Sequence, residues 1–244
     1  MAPEDSCGPE EFPSTRWSVV LRSGSPDPGD VGGAFETITR AYFQPIVAYL
    51  RAVGHDLGED PEDLAQGFFA WLWESGVLSR ADRDRGRFRA FLKVVLRNYM
   101  LDFRRRQGAL KRGGAQSFEN LDDGTAGARE IGDRRVRTPE QELDEMWRRT
   151  LVERALLRTE EELIAAGKPV VFAVFRDYFL ESSQELDYRG VAARHGITTV
   201  DVSNYLSRAK RLYREHLRAL VQETVLDAEE LRSELEWLFG KGQS

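Results

Sequence analysis

Cysteine is nearly absent from this 244-residue chain. Cys7 stands alone in a Pro/Gly/acidic leader, so no internal disulfide can form, and a disulfide-stapled scaffold is excluded. Histidine is scarce as well: His55, His195 and His216 are isolated and show no metal-ligand spacing with Cys7, so no metal site is expected. No apolar run approaches the length of a membrane span, and the N-terminus lacks a basic segment followed by an apolar one. Neither a membrane anchor nor a signal peptide is expected, and the expected compartment is the cytoplasm. Gly167-Lys168-Pro169 lacks the upstream glycine of a phosphate loop. No serine, cysteine or carboxylate pair forms a nucleophile or acid/base constellation, so neither an enzyme nor a bound cofactor is expected. Strand-like alternation and internal repeats are missing too.

What is present is a soluble, globular composition with 41% apolar and 31% charged residues. That balance does not fit a disordered chain. The length allows one large or two small domains, each with its own core. The formal net charge is −6, which argues against a protein that coats DNA non-specifically. The charge is uneven, however. Between Arg83 and Arg112 there are eleven Lys/Arg against Asp84 and Asp102, while acidic residues crowd at 59–63, 119–123, 140–145 and 227–236. An acidic chain with one basic segment suits a protein that touches nucleic acid locally and takes most of its affinity from a partner.

Helical periodicity organises the chain. Residues 1–13 read as disordered, Thr15 to Arg22 as a short helix and 24–33 as a loop. Phe35, Ile38, Tyr42, Ile46, Tyr49 and Val53 recur at helical spacing, with Pro45 as a kink. Pro61, capped by Asp60, opens a helix to about Trp73. A charged loop covers 75–86, and a long helix covers Phe88 to Arg106. Residues 107–139 are Gly-rich, charged and without pattern, so they read as an interdomain linker. Helices follow at 140–166, 169–180 and 228–239. The predicted fold is all-α: two small helical domains joined by a flexible linker.

Between 188 and 209 the spacing is that of a helix-turn-helix, a unit that presents its second helix to the DNA major groove. Val191 and the small Ala192 fall on the first helix. Gly196 follows at the turn, where φ > 0 is expected, and Thr198 or Thr199 caps the second helix. Val202, Leu206, Ala209 and Tyr213 form one buried stripe. Ser203, Asn204, Ser207, Arg208 and Arg211 are left outside it. A helical hairpin in any all-α core has the same pattern.

Two other helices have two-faced patterns. In 61–73, Leu64, Phe68, Trp71 and Leu72 form a core face, while Asp63, Gln66, Ala70 and Glu74 share the opposite side. Phe69 and Trp73 require burial on a second flank, in a bundle or a partner groove. In 88–106, Phe88, Phe91, Leu92, Val95 and Tyr99 converge, and Lys93, Arg97 and Arg104 project oppositely with Arg89 beside them. Such a stripe can track phosphates. Basic residues at a helix C-terminus, such as Arg104, Arg105 and Arg106, also simply favour the helix dipole.

Asp60-Pro-Glu-Asp-Leu-Ala-Gln-Gly-Phe-Phe-Ala-Trp-Leu-Trp73, the run from Gly86 to Arg106, and Gly196-Ile-Thr with Leu206-Ser-Arg-Ala209 together resemble region 2 and region 4 of bacterial sigma-70-type RNA polymerase sigma factors. The match is nearest to the compact extracytoplasmic-function group. Thr15-Arg-Trp-Ser-Val-Val20, Lys111-Arg-Gly-Gly114 and the segment from Glu223 to Leu235 also look like one subgroup of it. The resemblance implies a leader with a short helix (1–33), a region 2-like domain (34–107), a linker (108–139), a region 4-like helix-turn-helix domain (140–222) and a C-terminal helical extension (223–244). It implies core RNA polymerase and promoter DNA as partners, with an anti-sigma or other regulatory protein as a further one and no membrane. Asp63 and Gln66 match the polymerase-gripping surface. Arg87, Phe88, Arg89, Lys93, Arg97 and Asn98 match the surface that takes the melted −10 strand, where a flipped base needs a pocket and a cationic rim. Phe91 stands where the family often has Trp. Thr199, Ser203, Asn204, Ser207, Arg208 and Arg211 match the −35 reader. Sigma factors commonly carry basic residues where this chain has Ser203 and Tyr205, and Asp201 is acidic. Positive charge is instead concentrated further along, at Arg208, Lys210, Arg211 and Arg214. Two other readings stand beside this one: a helix-turn-helix regulator acting without polymerase, and a degenerate sigma fold serving protein contact.

Overall fold

A computed structural model describes residues 28–54, 57–80, 87–111, 137–180, 187–225 and 227–239. These residues are all-helical. Eight α-helices run as α1 Pro28–Val53, α2 Pro61–Glu74, α3 Phe88–Lys111, α4 Pro139–Ala165, α5 Pro169–Phe179, α6 Tyr188–His195, α7 Thr199–Gln222 and α8 Ala228–Phe239, with a short 3-10 turn at Val77–Arg80. The helix expected at 15–22 and the linker glycines after Gly108 lie outside the described residues, as do Cys7 and His55.

Three bounds differ from expectation. The first helix starts at Pro28 and not at Ala34; proline is pre-set for the first helical turn, and the following glycines are absorbed. The loop expected over 75–86 contains the 3-10 turn. The third helix continues to Lys111, past Arg106, and runs through Gly108, since one glycine costs only about 1 kcal/mol in a helix.

The described residues form two compact units, one within 42–146 and one of 28–41 together with those between 147 and 239. In the first, Ile46, Leu50, Leu64, Phe68, Leu72, Leu92 and Leu96 are among the most buried side chains. Aromatic edges lock it: Phe68 and Trp71 each lie 5.3 Å from Tyr99, and Tyr42 meets Phe88 at 5.9 Å. Offset and edge-on arrangements of this kind add to simple area burial. Asp60 caps α2 by accepting a hydrogen bond from Glu62 N at 2.7 Å.

In the second unit, Val171, Phe172, Val174 and Phe175 of α5 pack with Val191 and Ala192 of α6 and with Val202, Leu206, Ala209 and Leu212 of α7. Asp177, almost fully buried, ties α5 to α6: Arg194 donates to it at 3.0 Å, and His195 Nε2 lies 2.9 Å away. Burial alone would raise this carboxyl. The hydrogen bonds and charges of Arg194 and His195 outweigh that and hold it below its ordinary range. His195 is therefore a structural tether, in keeping with its place beside the turn.

Gly196 occupies the left-handed region at φ 64°, closing α6, and Ile197 N donates to Ala192 O at 3.1 Å. A side chain would meet open space there, so its cost is conformational alone. Gly196→Ala is expected to lower the stability of this unit by about 1 kcal/mol, and Gly196→Asn by less. Urea denaturation of the two variants tests this; an unchanged midpoint for Gly196→Ala would contradict it.

Candidate nucleic-acid interface

The α2 helix divides as its sequence pattern requires. Leu64, Ala65, Phe68, Phe69 and Leu72 are buried, whereas Asp63, Gln66, Ala70 and Glu74 are exposed. Phe69 finds its second flank against Phe43 at 6.1 Å, while Trp73 stays half-exposed. Asp63 and Gln66, three residues apart, therefore stand side by side on an outward polar face with the hydrophobic core behind it.

The basic face of α3 is only partly outward. Arg97, Asn98 and Arg104 are exposed, as is Arg87 just before the helix. Arg104 donates to Val53 O, fastening the end of α1. Arg89 departs from the expected outward position. It is 5% exposed and pairs with Asp144 of α4. Lys93 lies 2.6 Å from the same carboxylate and is itself mostly covered. The reason is geometric: Arg89 shares a face with Leu92, Leu96 and Met100, all buried. It enters the core because Asp144 compensates its charge. Phe88 is also a core residue, edge-on to Tyr42 and not presented at the surface. Of the six residues expected to hold the melted strand, Arg87, Arg97 and Asn98 are thus exposed, Lys93 is mostly covered, and Phe88 and Arg89 are buried.

Nearby, the Tyr49 phenol is pushed up to about 12, first by burial and then by the charge of Glu140, with Arg97 and Arg104 pulling the other way. Tyr49 is therefore neutral at any physiological pH. Asp144 was missed by sequence reasoning. The one trace of it is the acidic run at 140–145, which names no partner.

In the helix-turn-helix, Thr198 and not Thr199 is the cap. Asp201 N donates to Thr198 Oγ1 at 3.1 Å, and Asp201 Oδ2 accepts from Thr198 N at 3.0 Å and from Thr198 Oγ1 at 2.7 Å. This is a reciprocal capping box. The two hydrogen bonds from Thr198 hold the Asp201 carboxyl below its ordinary range. The ionised carboxylate is thereby fixed at the helix start, against its cap. Thr199, Ser203, Asn204, Ser207 and Arg211 are exposed, and Arg208 is half-buried. Val202, Leu206 and Ala209 are buried as the stripe requires, with Leu212 filling the inner face. Tyr213 is half-buried and lies 6.3 Å from Phe175.

Residues 38–110 match the family model of sigma-70 region 2. The match covers most of α1, all of α2 and nearly all of α3. Residues 38–110 therefore carry a sigma-70 region 2 domain. No curated protein and no solved structure matches the chain. Among the described residues, no helix is long and apolar enough to cross a membrane.

Proposed function

We propose that this chain is a sigma-70-type promoter-specificity factor of the extracytoplasmic-function kind, acting in the cytoplasm by binding rather than by catalysis. It engages core RNA polymerase through Asp63 and Gln66 on α2. It takes the opened −10 strand along Arg87, Arg97 and Asn98, and it reads the −35 element with α7. The region 2 match at 38–110 carries this reading. The outward polar face of α2 and the helix-turn-helix built by α6 and α7 support it. A repressor acting without polymerase has no use for a region 2 domain. In vitro transcription with core polymerase and a genomic library tests the proposal: new start sites that depend on the added chain are expected, and an unchanged transcript set would overturn it.

Arg89 and Lys93 are paired with Asp144, so phosphate contact on this face of α3 falls chiefly to Arg97. Arg97→Ala is expected to leave core binding intact, to weaken permanganate reactivity at −10 and to reduce the salt slope of promoter binding by about 0.7, the share of one single-strand phosphate contact. A slope and footprint identical to those of the parent would make Arg97 merely solvated.

A further inference from the structure

The outward face of α7 is neutral over its first two turns. At 100° per residue, Val200, Asn204, Ser207 and Arg211 lie on one line, with Ser203 beside it. Val200 is 67% exposed, more than any other large apolar side chain among the described residues. Asn204, Ser203 and Ser207 are exposed next to it. Three charges near this face have partners of their own, while Arg208 on its flank is half-buried. Asp201 is held in the capping box. Lys210 sits 4.7 Å over the Phe179 ring, and Arg211 pairs with Glu215 at 3.1 Å.

A helix entering the major groove contacts base edges with its N-terminal residues. Guanine is read by a bidentate Arg or Lys, adenine by Asn or Gln, and the thymine methyl by an apolar side chain. No Arg or Lys lies within the first two turns of this face, whereas an apolar residue and an asparagine do. We infer that α7 reads A·T pairs: Val200 packs on a thymine C5-methyl, and Asn204 pairs bidentately with an adenine. The small Ser203 and Ser207 let the helix approach closely, and Arg211 holds a phosphate once it swings from Glu215. Four residues of helix rise about 6 Å, close to two base-pair steps of about 3.4 Å. The thymine and the adenine should therefore lie within two base pairs of each other. This inference rests on α7 being the −35 reader.

The test uses the full chain, with and without core polymerase, on duplexes randomised over the −35 region, followed by selected duplexes in which single thymines are replaced by deoxyuridine. The expected result is enrichment of A·T pairs and a loss of about fourfold at one thymine on removal of its methyl, the worth of one buried carbon. Val200→Ala should abolish that uracil penalty without abolishing binding. Asn204→Ala should relax the preference at a neighbouring adenine by about tenfold. Selection of G·C pairs, or a uracil penalty that persists in Val200→Ala, would overturn the inference while leaving α7 as a DNA reader. Absence of any sequence-selective duplex binding, with or without polymerase, would overturn the −35 assignment itself. The exposed valine would then belong to a protein contact.

Discussion

Asp144→Ala is expected to destabilise the 42–146 unit by about 3 kcal/mol, the low end of what removing one partner of a buried ion pair costs. Arg89 is 5% exposed as a residue, so its guanidinium cannot regain water where it lies. Lys93 meets the same carboxylate at 2.6 Å and adds a second cation to the site. The loss should appear as a lower urea midpoint for the unfolding phase of this unit. Lys93→Ala should cost far less, because the Arg89–Asp144 pair persists. Replacing Arg89 by Met together with Asp144 by Leu should recover most of the loss, since a well-packed apolar pair often matches a buried ion pair in stability. A drop in Asp144→Ala of under about 0.5 kcal/mol, the range of ordinary surface changes, would mean that Arg89 swings out to solvent, and the site would then be a surface contact.

Arg89 also shows where sequence reasoning reaches and where it stops. Periodicity and local chemistry placed the helices well. α2 carries its own cap and its own proline start, Asp60 and Pro61. α8 has Asp227 at its head, which accepts a hydrogen bond from Glu230 N at 2.8 Å, and an amphipathic run behind it. Gly196 and the Val202, Leu206 and Ala209 stripe fixed the turn and the inner face of α7 because each signal lies within a few residues of its effect. The polar face of α2 was equally legible, since a helix that buries Leu64, Phe68 and Leu72 must turn Asp63 and Gln66 outward. Arg89 was not legible in this way. Its helical position places it in line with Leu92 and Leu96, but its charge says surface. The contest is decided by Asp144, 55 residues further along the chain, and no periodicity encodes so distant a partner. Helix ends were the other weak point. Gly108 did not stop α3, because the cost of a single glycine is small against continued hydrogen bonding.

Asp63→Arg combined with Gln66→Ala is expected to weaken binding to core polymerase by tenfold or more, about 1.4 kcal/mol at least, since reversing one charge in a complementary interface both removes an attraction and adds a repulsion. The fold should tolerate the pair. Both side chains are exposed, and the buried face of α2 is untouched. Asp63 lies in the first turn of the helix, where a negative charge favours the dipole. Its reversal therefore costs the helix roughly 0.3–1 kcal/mol, with the Asp60 cap and Glu62 still in place. The far-ultraviolet helical signal should be unchanged. Asp63→Asn separates the two effects, because it removes the attraction without the repulsion and should fall between parent and double variant in a core-polymerase pull-down. The expected order is parent, then Asp63→Asn, then the double variant, with in vitro transcription falling in the same order. Undiminished capture of polymerase by a folded double variant would remove α2 from the polymerase interface. Loss of capture accompanied by loss of helical signal would mean that the face is structural. If capture falls and the helical signal holds, the outward Asp63 and Gln66 are the polymerase contact, and the region 2 domain acts through the face that its core leaves in water.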